Sequence, residues 1–222
     1  MALVSFKHKL IFVKTTKTAG TSIETDLSQR LEPEAIVTPI YPPEDGHVAR
    51  NHLGADGNPL FFNHMSAKQI REILGAETFQ SMTRICVERE PVSKCISHFH
   101  MLRNSALHNP EGAYQLNWDE YVNKGDFPTD LPKYTLMQDD QPVSLVTHVL
   151  RYDRLASELP MLLNSLGIPD FSLRTRAKSE YSRKVLITPD QVTAAQRDKI
   201  ERAFRPTTQF LGQFANIDWS QP

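Results

Sequence analysis

The sequence predicts a three-layer α/β domain, in which a central, mainly parallel sheet is covered by helices on both faces. Three short apolar runs, at 10–13, 83–87 and 146–152, each lead through a turn into a helical pattern. Continuous apolar runs are typical of strands buried on both faces, and alternating strands and helices build parallel sheets. The length of 222 residues fits one domain over 1–222.

The first apolar run is followed by a lysine-bearing loop of small residues and then by a helical pattern. That loop reads Lys17, Thr18, Ala19, Gly20, Thr21 and Ser22. Amides at a helix N-terminus attract anions, so the layout is P-loop-like. The Walker pattern itself would need glycine at 15 and lysine at 21, where Thr15 and Thr21 stand. The loop therefore predicts an anion site in which Lys17 supplies the charge and hydroxyl groups assist.

The second apolar run ends at an arginine that is followed by a proline and a helix. Pro91 suits the first helical turn, where a missing N–H costs nothing. Arg89 at the strand exit and Ser97 two turns into the helix could converge on one anion. The alternative is that Arg89 pairs with Glu88 or Glu90 and that Ser97 is an ordinary solvated residue.

These two motifs, in this order, resemble the donor site of sulfotransferases that use 3′-phosphoadenosine-5′-phosphosulfate. The loop at 17–22 is similar to the 5′-phosphosulfate loop of the carbohydrate-type branch. Arg89 and Ser97 match the family's 3′-phosphate site. The resemblance implies sulfuryl transfer from that donor to a hydroxyl of a carbohydrate or small alcohol, with Lys17 stabilising the leaving phosphate and no metal required.

The resemblance extends more loosely to the late basic segment, which in the family folds over the nucleotide. There it implicates Lys178, Ser179 and Arg183 in donor binding. One departure lies beside the 3′-phosphate motif, where Glu90 stands at a position that often carries asparagine. An extra carboxylate would be mildly repulsive there unless it points away or pairs with Lys94.

His64 is the candidate catalytic base. It precedes Ser66 and Gln69, a capping-box pattern that predicts a helix start, and loops of this kind commonly face a site. Imidazole has an unperturbed pKa near neutrality, which suits proton transfer. Other branches use a carboxylate on the helix after the phosphate loop, so Glu24 is the second candidate and Asp26 is a further one. Alternatively, His64 caps the helix that starts at Ser66, and the two acids only favour the dipole of the helix after the phosphate loop.

Two regions, 33–59 and 106–141, are predicted to be irregular and to border the acceptor site. In the first we expect candidate acceptor contacts at His47, Arg50 and His52, although a solvated loop is the ordinary alternative. The second carries aromatic residues that suit a sugar ring, although core filling is their more common role. Those residues are Tyr114, Trp118, Tyr121 and Tyr134.

Composition restricts the function further. A formal net charge of −1 gives no global footprint for nucleic acid, and no apolar segment predicts a membrane span or a signal sequence. We therefore expect a cytoplasmic, bacterial protein with a small-molecule partner. Cys86 and Cys95 are expected to be buried thiols, and His98 and His100 lie too close in sequence to share a helix face. A P-loop phosphotransferase and a non-catalytic nucleotide-binding protein remain the alternative functions.

Overall fold

The computed structural model describes residues 2–177, 181, 184–214 and 217. Within these residues, seven strands lie at Ala2–Ser5 (β1), Leu10–Val13 (β2), Ile36–Val37 (β3), Thr83–Glu88 (β4), Thr135–Gln138 (β5), Gln141–Ser144 (β6) and His148–Arg151 (β7). The same part of the chain has eight α-helices, at Gly20–Ser28 (α1), Ala67–Leu74 (α2), Ala76–Gln80 (α3), Pro91–Asn104 (α4), Trp118–Lys124 (α5), Leu131–Tyr134 (α6), Leu155–Ser165 (α7) and Ala194–Leu211 (α8). Single 3₁₀ turns occupy Pro110–Gly112, Tyr152–Arg154 and Pro189–Gln191.

The main sheet has five strands in the order β3-β1-β2-β4-β7. Strands β2, β4 and β7 are parallel neighbours, whereas β1 runs antiparallel to both β2 and β3. Four of the five strands therefore point the same way, which confirms the prediction of a mainly parallel sheet. The reversed strand β1 was not predicted; it forms a hairpin with β2.

Helices cover both faces of this sheet, because successive strand residues point to opposite sides. Phe12, Ile85 and Val87 belong to a core cluster with α1 and α7. Ile11 and Cys86 belong to the opposite cluster, with α2, α3 and the end of α8. The predicted three-layer arrangement is thus confirmed. A third cluster joins α4, α5 and α8.

The region 106–141 is more regular than predicted. It contains α5, α6 and β5, and β5 pairs with β6 as a separate two-stranded sheet. Trp118, Tyr121 and Tyr134 are buried, so these aromatics fill the core. The region 33–59 also contains a strand, β3, and Val37 exchanges two backbone hydrogen bonds with Arg50, each 2.9 Å long.

The fold brings the two predicted anion motifs to one edge of the sheet. Parallel strands β2 and β4 end side by side, and each continues into a helix, α1 or α4. Loops that follow the carboxyl ends of parallel strands meet there, which is where α/β sheets bind ligands. The capping box predicted at Ser66 and Gln69 is present and starts α2.

Candidate functional site

A cavity of about 900 Å³ opens at the carboxyl ends of β2 and β4. It brings together nine of the residues predicted from the sequence: Lys17, Thr18, Ala19, Gly20, Thr21, Ser22, His64, Arg89 and Ser97. Three further predicted residues, Lys178, Ser179 and Arg183, lie outside the residues that the structure describes. The anion motifs and His64 therefore share one pocket.

The lining of this pocket is positively charged. Lys14, Lys17, Arg89 and Arg176 line it, and none of its described lining residues is an aspartate or a glutamate. Low-dielectric walls that carry one sign of charge focus the field within a cleft. The pocket is thus electrostatically suited to an anionic ligand.

Lys14, which the sequence analysis did not single out, forms part of the pocket floor. Its Nζ donates to Oγ1 of Thr21 at 2.9 Å and lies 3.2 Å from Oε2 of the buried Glu24. Its aliphatic stem packs against Gly20, where an added Cβ would come within 2.5 Å of the lysine Cγ. The close approach of Lys14 therefore favours glycine at position 20.

The N-terminus of α1 faces the pocket. Its N-cap residue, Ala19, has left-handed backbone angles and makes no side-chain capping bond. The orphan amides of a first helical turn carry partial positive charge. Lys17 is also left-handed (φ 61°), and its Nζ lies 5.1 Å from the ring centroid of Tyr181. The helix end and the lysine thus add to the positive field.

Arg89 is held on three sides. Its Nε donates to Oγ of Ser93 at 2.8 Å, and Nη1 donates to the carbonyl of Lys17 at 3.3 Å. The guanidinium also stacks 4.1 Å from the ring centroid of Tyr152. Burial lowers the pKa of Arg89, although a guanidinium still stays charged at neutral pH. Arg89 therefore links the two anion motifs physically.

The carboxylate of Glu90 is engaged at the start of α4 and does not line the pocket, so it is not placed to repel an anion there. Its carboxylate caps α4, accepting from the amides of Val92 at 2.9 Å and Ser93 at 2.7 Å. Lys94 pairs instead with Glu88 and Asp130. Glu90 borders a separate concavity of about 570 Å³, the α8 depression, whose lining is Glu90, Pro91, Arg197, Asp198, Glu201, Arg202, Arg205, Thr208 and Gln209.

The start of the late basic segment is docked onto α1. Asp26 accepts from the amides of Arg174 and Thr175, at 2.7 and 2.9 Å, and from the Thr175 hydroxyl. Oγ of Ser22 accepts from the amide of Ala177 at 3.1 Å. This docking places Arg176 in the pocket wall, and Tyr181 also lines the pocket. Asp26 therefore holds a wall of the pocket rather than facing its interior.

A buried network of charged side chains holds the backbone just before the loop at 17–22. Asp130 is 1% exposed, and its carboxylate lies 2.8 Å from Nζ of Lys94 and 2.7 Å from Nζ of Lys133. It also accepts from the amide of Thr16 at 2.6 Å and from the Thr16 hydroxyl at 2.9 Å. Although burial opposes ionisation, the two lysines hold the pKa of Asp130 at about 2.

His64 lies beside this network. Its Nδ1 is 3.4 Å from Nζ of Lys133, and its backbone is left-handed (φ 60°). The side chain keeps solvent contact, yet its pKa is lowered to about 3. The first cause is displacement of water by the surrounding protein, followed by positive charges that include Lys133 and Lys14. The imidazole is therefore neutral at pH 7.

The other candidates from the sequence occupy different places. Glu24, the second candidate base, is 1% exposed and ion-paired to Lys14 beneath the pocket floor. Arg50 donates to three carbonyls at and just after the end of α1, those of Ser28, Leu31 and Glu32, so it braces the fold.

Three further findings concern the thiols, metal binding and membrane spans. Cys86 and Cys95 are both buried and free. Within the residues that the structure describes, no cluster of histidine, cysteine or acidic side chains could hold a metal ion, and no helix is long and apolar enough to cross a membrane.

The network residues Asp130 and Lys133 were missed by the sequence analysis. They lie more than 100 positions from Thr16, and no local pattern marks them. His100 and His108 also line the pocket without having been predicted. Nε2 of His100 accepts from the amide of Leu186 at 3.0 Å, so its ring is fixed by the backbone.

No protein-family model matches the chain, and no curated protein matches it either.

Proposed function

We propose that the protein is a sulfotransferase that moves a sulfuryl group from 3′-phosphoadenosine-5′-phosphosulfate to a hydroxyl of a carbohydrate or small alcohol. The observation that carries the proposal is the pocket lining, which joins four cations and a helix N-terminus without a carboxylate among its described residues. Such a site suits a ligand with several negative charges. The donor carries a phosphosulfate at one end and a 3′-phosphate at the other.

The two anion motifs divide this ligand between them. The amides at the start of α1, with Lys17 and the Thr21 hydroxyl, would hold the 5′-phosphosulfate. Arg89 and Ser97 would hold the 3′-phosphate, because a guanidinium is well suited to bind a phosphate through two hydrogen bonds. The bond from Arg89 to the Lys17 carbonyl ties the two halves at a fixed separation.

In the proposed reaction the acceptor oxygen forms a bond to sulfur while the bond from sulfur to the 5′-phosphate oxygen breaks. The electron pair of that bond stays on the phosphate, and the hydroxyl proton passes from the acceptor to water. Lys17 stabilises the charge that develops on the phosphate oxygen, where preorganised cations are most effective. His64 borders the same pocket, and we assign it to the part of the pocket where the acceptor hydroxyl binds.

Calorimetric titration of the wild-type protein tests the donor site directly. We expect adenosine 3′,5′-bisphosphate to bind at least tenfold more tightly than adenosine 5′-monophosphate, because only the former has a phosphate for Arg89. ATP, with and without magnesium, is the matched comparison. Equal affinity for the two adenosine phosphates would contradict the proposal. Magnesium-dependent binding and turnover of ATP would favour a phosphotransferase instead.

Donor turnover separates an enzyme from a binding protein. The wild-type protein, supplied with the labelled donor and a panel of sugars and simple alcohols, is expected to form a labelled sulfate ester. Tight bisphosphate binding without transfer to any acceptor in that panel would favour the non-catalytic alternative.

A further inference from the structure

The side chain of His64 is contacted by an ammonium group. Nζ of Lys133 lies 3.4 Å from Nδ1 of the imidazole. An ammonium group has three N–H donors and no acceptor, so the nitrogen that faces it has to accept. In a neutral imidazole the proton then sits on the other nitrogen. Nε2 of His64 is therefore a hydrogen-bond donor in this arrangement.

Lys133 is fixed in place by its own partners. Its Nζ lies 2.7 Å from Oδ1 of Asp130 and 3.2 Å from Oγ1 of Thr16. Asp130 in turn is anchored by the fully buried Lys94 and by the backbone amide of Thr16. One buried carboxylate thus sets both the course of the phosphate-loop backbone and the position of the ammonium group.

The surrounding charges oppose a second proton on His64. Lys133 and Lys14 are both cationic, and they lower the pKa of the ring. Asp130 acts in the opposite direction, but its single negative charge is already shared between Lys94 and Lys133. A protonated ring would also put two N–H donors face to face at Nδ1.

We propose that Asp130 and Lys133 are positioning residues that hold His64 as the neutral tautomer with its proton on Nε2. The role in the reaction rests on the proposed sulfuryl transfer, and it differs from the base that the family resemblance predicts. His64 then donates from Nε2 to a sulfuryl or acceptor oxygen. The hydroxyl proton passes to water once the new sulfur–oxygen bond has formed, because Nε2 already carries a proton.

Nuclear magnetic resonance of the ligand-free protein labelled with ¹⁵N-histidine tests this directly. The ¹⁵N shifts distinguish protonated from unprotonated ring nitrogens, and His64→Gln identifies the His64 signals. We expect a protonated Nε2 and an unprotonated Nδ1 at pH 7, with no titration down to pH 5. A proton on Nδ1, or on both nitrogens, at pH 7 would overturn the proposal.

Lys133→Met tests the cause of that state. Burial, the largest cause of the lowered pKa, stays in this variant, so without the ammonium group we expect the titration midpoint of His64 to move upward but to remain below the ordinary value of about 6.5. Lys133→Arg should keep the wild-type signature, because a guanidinium is also only a donor. Lys68→Met is the control, since Lys68 is an exposed lysine on α2 paired with Glu72. An unmoved midpoint in Lys133→Met would refute the role of Lys133.

This result is independent of the proposed function. The tautomer is read without ligand, whereas the donor site is tested by adenosine 3′,5′-bisphosphate binding to the same variants. Bisphosphate binding together with the wrong tautomer would refute only the positioning role. The expected tautomer without bisphosphate binding would leave the positioning of His64 in place and refute the sulfotransferase.

Discussion

The pocket and the α8 depression are both concave and both rich in cations, but their charge balance differs. The pocket is lined by Lys14, Lys17, Arg89 and Arg176, with no carboxylate among the described residues of its lining. The α8 depression has three arginines, but Glu90, Asp198 and Glu201 lie among them. Asp198 pairs directly with Arg202. The number of arginines alone therefore does not distinguish an anion site.

The comparison also shows how the charges are held. In the α8 depression Arg202 is 55% exposed, so its ion pair is solvated and weak. In the pocket Arg89 is held by Ser93, by the Lys17 carbonyl and by Tyr152. A cation fixed before the ligand arrives loses less side-chain entropy on binding. Both the lack of carboxylates among the described lining residues and this preorganisation favour anion binding in the pocket.

The largest expected effect comes from giving the pocket the carboxylate that the α8 depression already has. Ser97→Asp would place a negative charge beside the proposed 3′-phosphate. Because juxtaposed like charges cost several kcal/mol, we expect adenosine 3′,5′-bisphosphate to bind about 100-fold or more weakly by calorimetry. Ser97→Ala, which removes only the hydroxyl, should lose roughly fivefold. Equal losses in the two variants would contradict an electrostatic origin.

The same substitution in both regions should then separate them. Arg89→Met removes a charge-assisted hydrogen bond, which is worth about 1.5–3 kcal/mol, or about 10–100-fold in bisphosphate affinity. Arg202→Met in the α8 depression is the matched control and should change the affinity by less than about twofold. Calorimetric titrations of the two variants measure both values. A comparable loss in Arg202→Met would move the binding site to the α8 depression.

A smaller effect, on the free energy of unfolding, is expected from replacing the glycine that begins α1, and a still smaller one from replacing the glycine at the end of α8. In Gly20→Ala the added methyl would lie 2.5 Å from Cγ of Lys14, so the lysine has to shift. Overpacking of this kind costs about 1–3 kcal/mol of unfolding free energy. Gly212→Ala, at the end of α8, meets nothing closer than 3.4 Å and should cost less than about 1 kcal/mol. Urea unfolding measures both, and equal midpoints would contradict the close approach of Lys14.

The smallest effect concerns α4, which borders both regions. Burial, followed by the charge of Lys17, lowers the pKa of His98 to about 4. The unfolded chain protonates this ring near pH 6.5, so stability is lost as the pH falls from about 6.5 toward 4. This one histidine should contribute about 1 kcal/mol per pH unit to the unfolding free energy.

His98→Gln tests that contribution through urea unfolding between pH 6.5 and pH 4.5. The variant should lose less stability than the wild type over this interval. The substitution also removes a contact with the Tyr121 hydroxyl, which lies 3.1 Å from Nδ1 of His98. Loss of that contact changes the absolute free energy of unfolding but not its slope with pH. An unchanged slope would show that His98 binds its proton as readily in the folded protein as in the unfolded chain, which would contradict the lowered pKa.

The sequence could predict the features that depend on nearby residues. The loop at 17–22, the proline at the start of α4 and the capping box at Ser66 are local patterns, and each leads into the expected helix. Parallel strand order then brings Arg89 and Lys17 together. The order of residues within short segments was sufficient to predict this part of the site.

The remainder depends on contacts between distant segments or on a turn signal that was overlooked. The carboxylate of Asp130 reaches Thr16, and only the packing of α6 against the loop brings them together. The β5–β6 hairpin did have a local sequence signal in its two aspartates. Asp139 and Asp140 form the two-residue turn, and both have the left-handed backbone angles that such a turn requires. Lys14 was assigned no role, and Lys94 was considered only as a partner of Glu90, because lysine is ordinarily exposed.

The packing of Lys14 against Gly20 has a consequence for how this chain can change over evolutionary time. The lysine stem occupies the volume that a side chain at position 20 would need. A substitution at either position therefore alters what the other can tolerate. Among relatives of this protein, positions 14 and 20 should covary, with larger residues at 20 appearing only where 14 carries a shorter side chain.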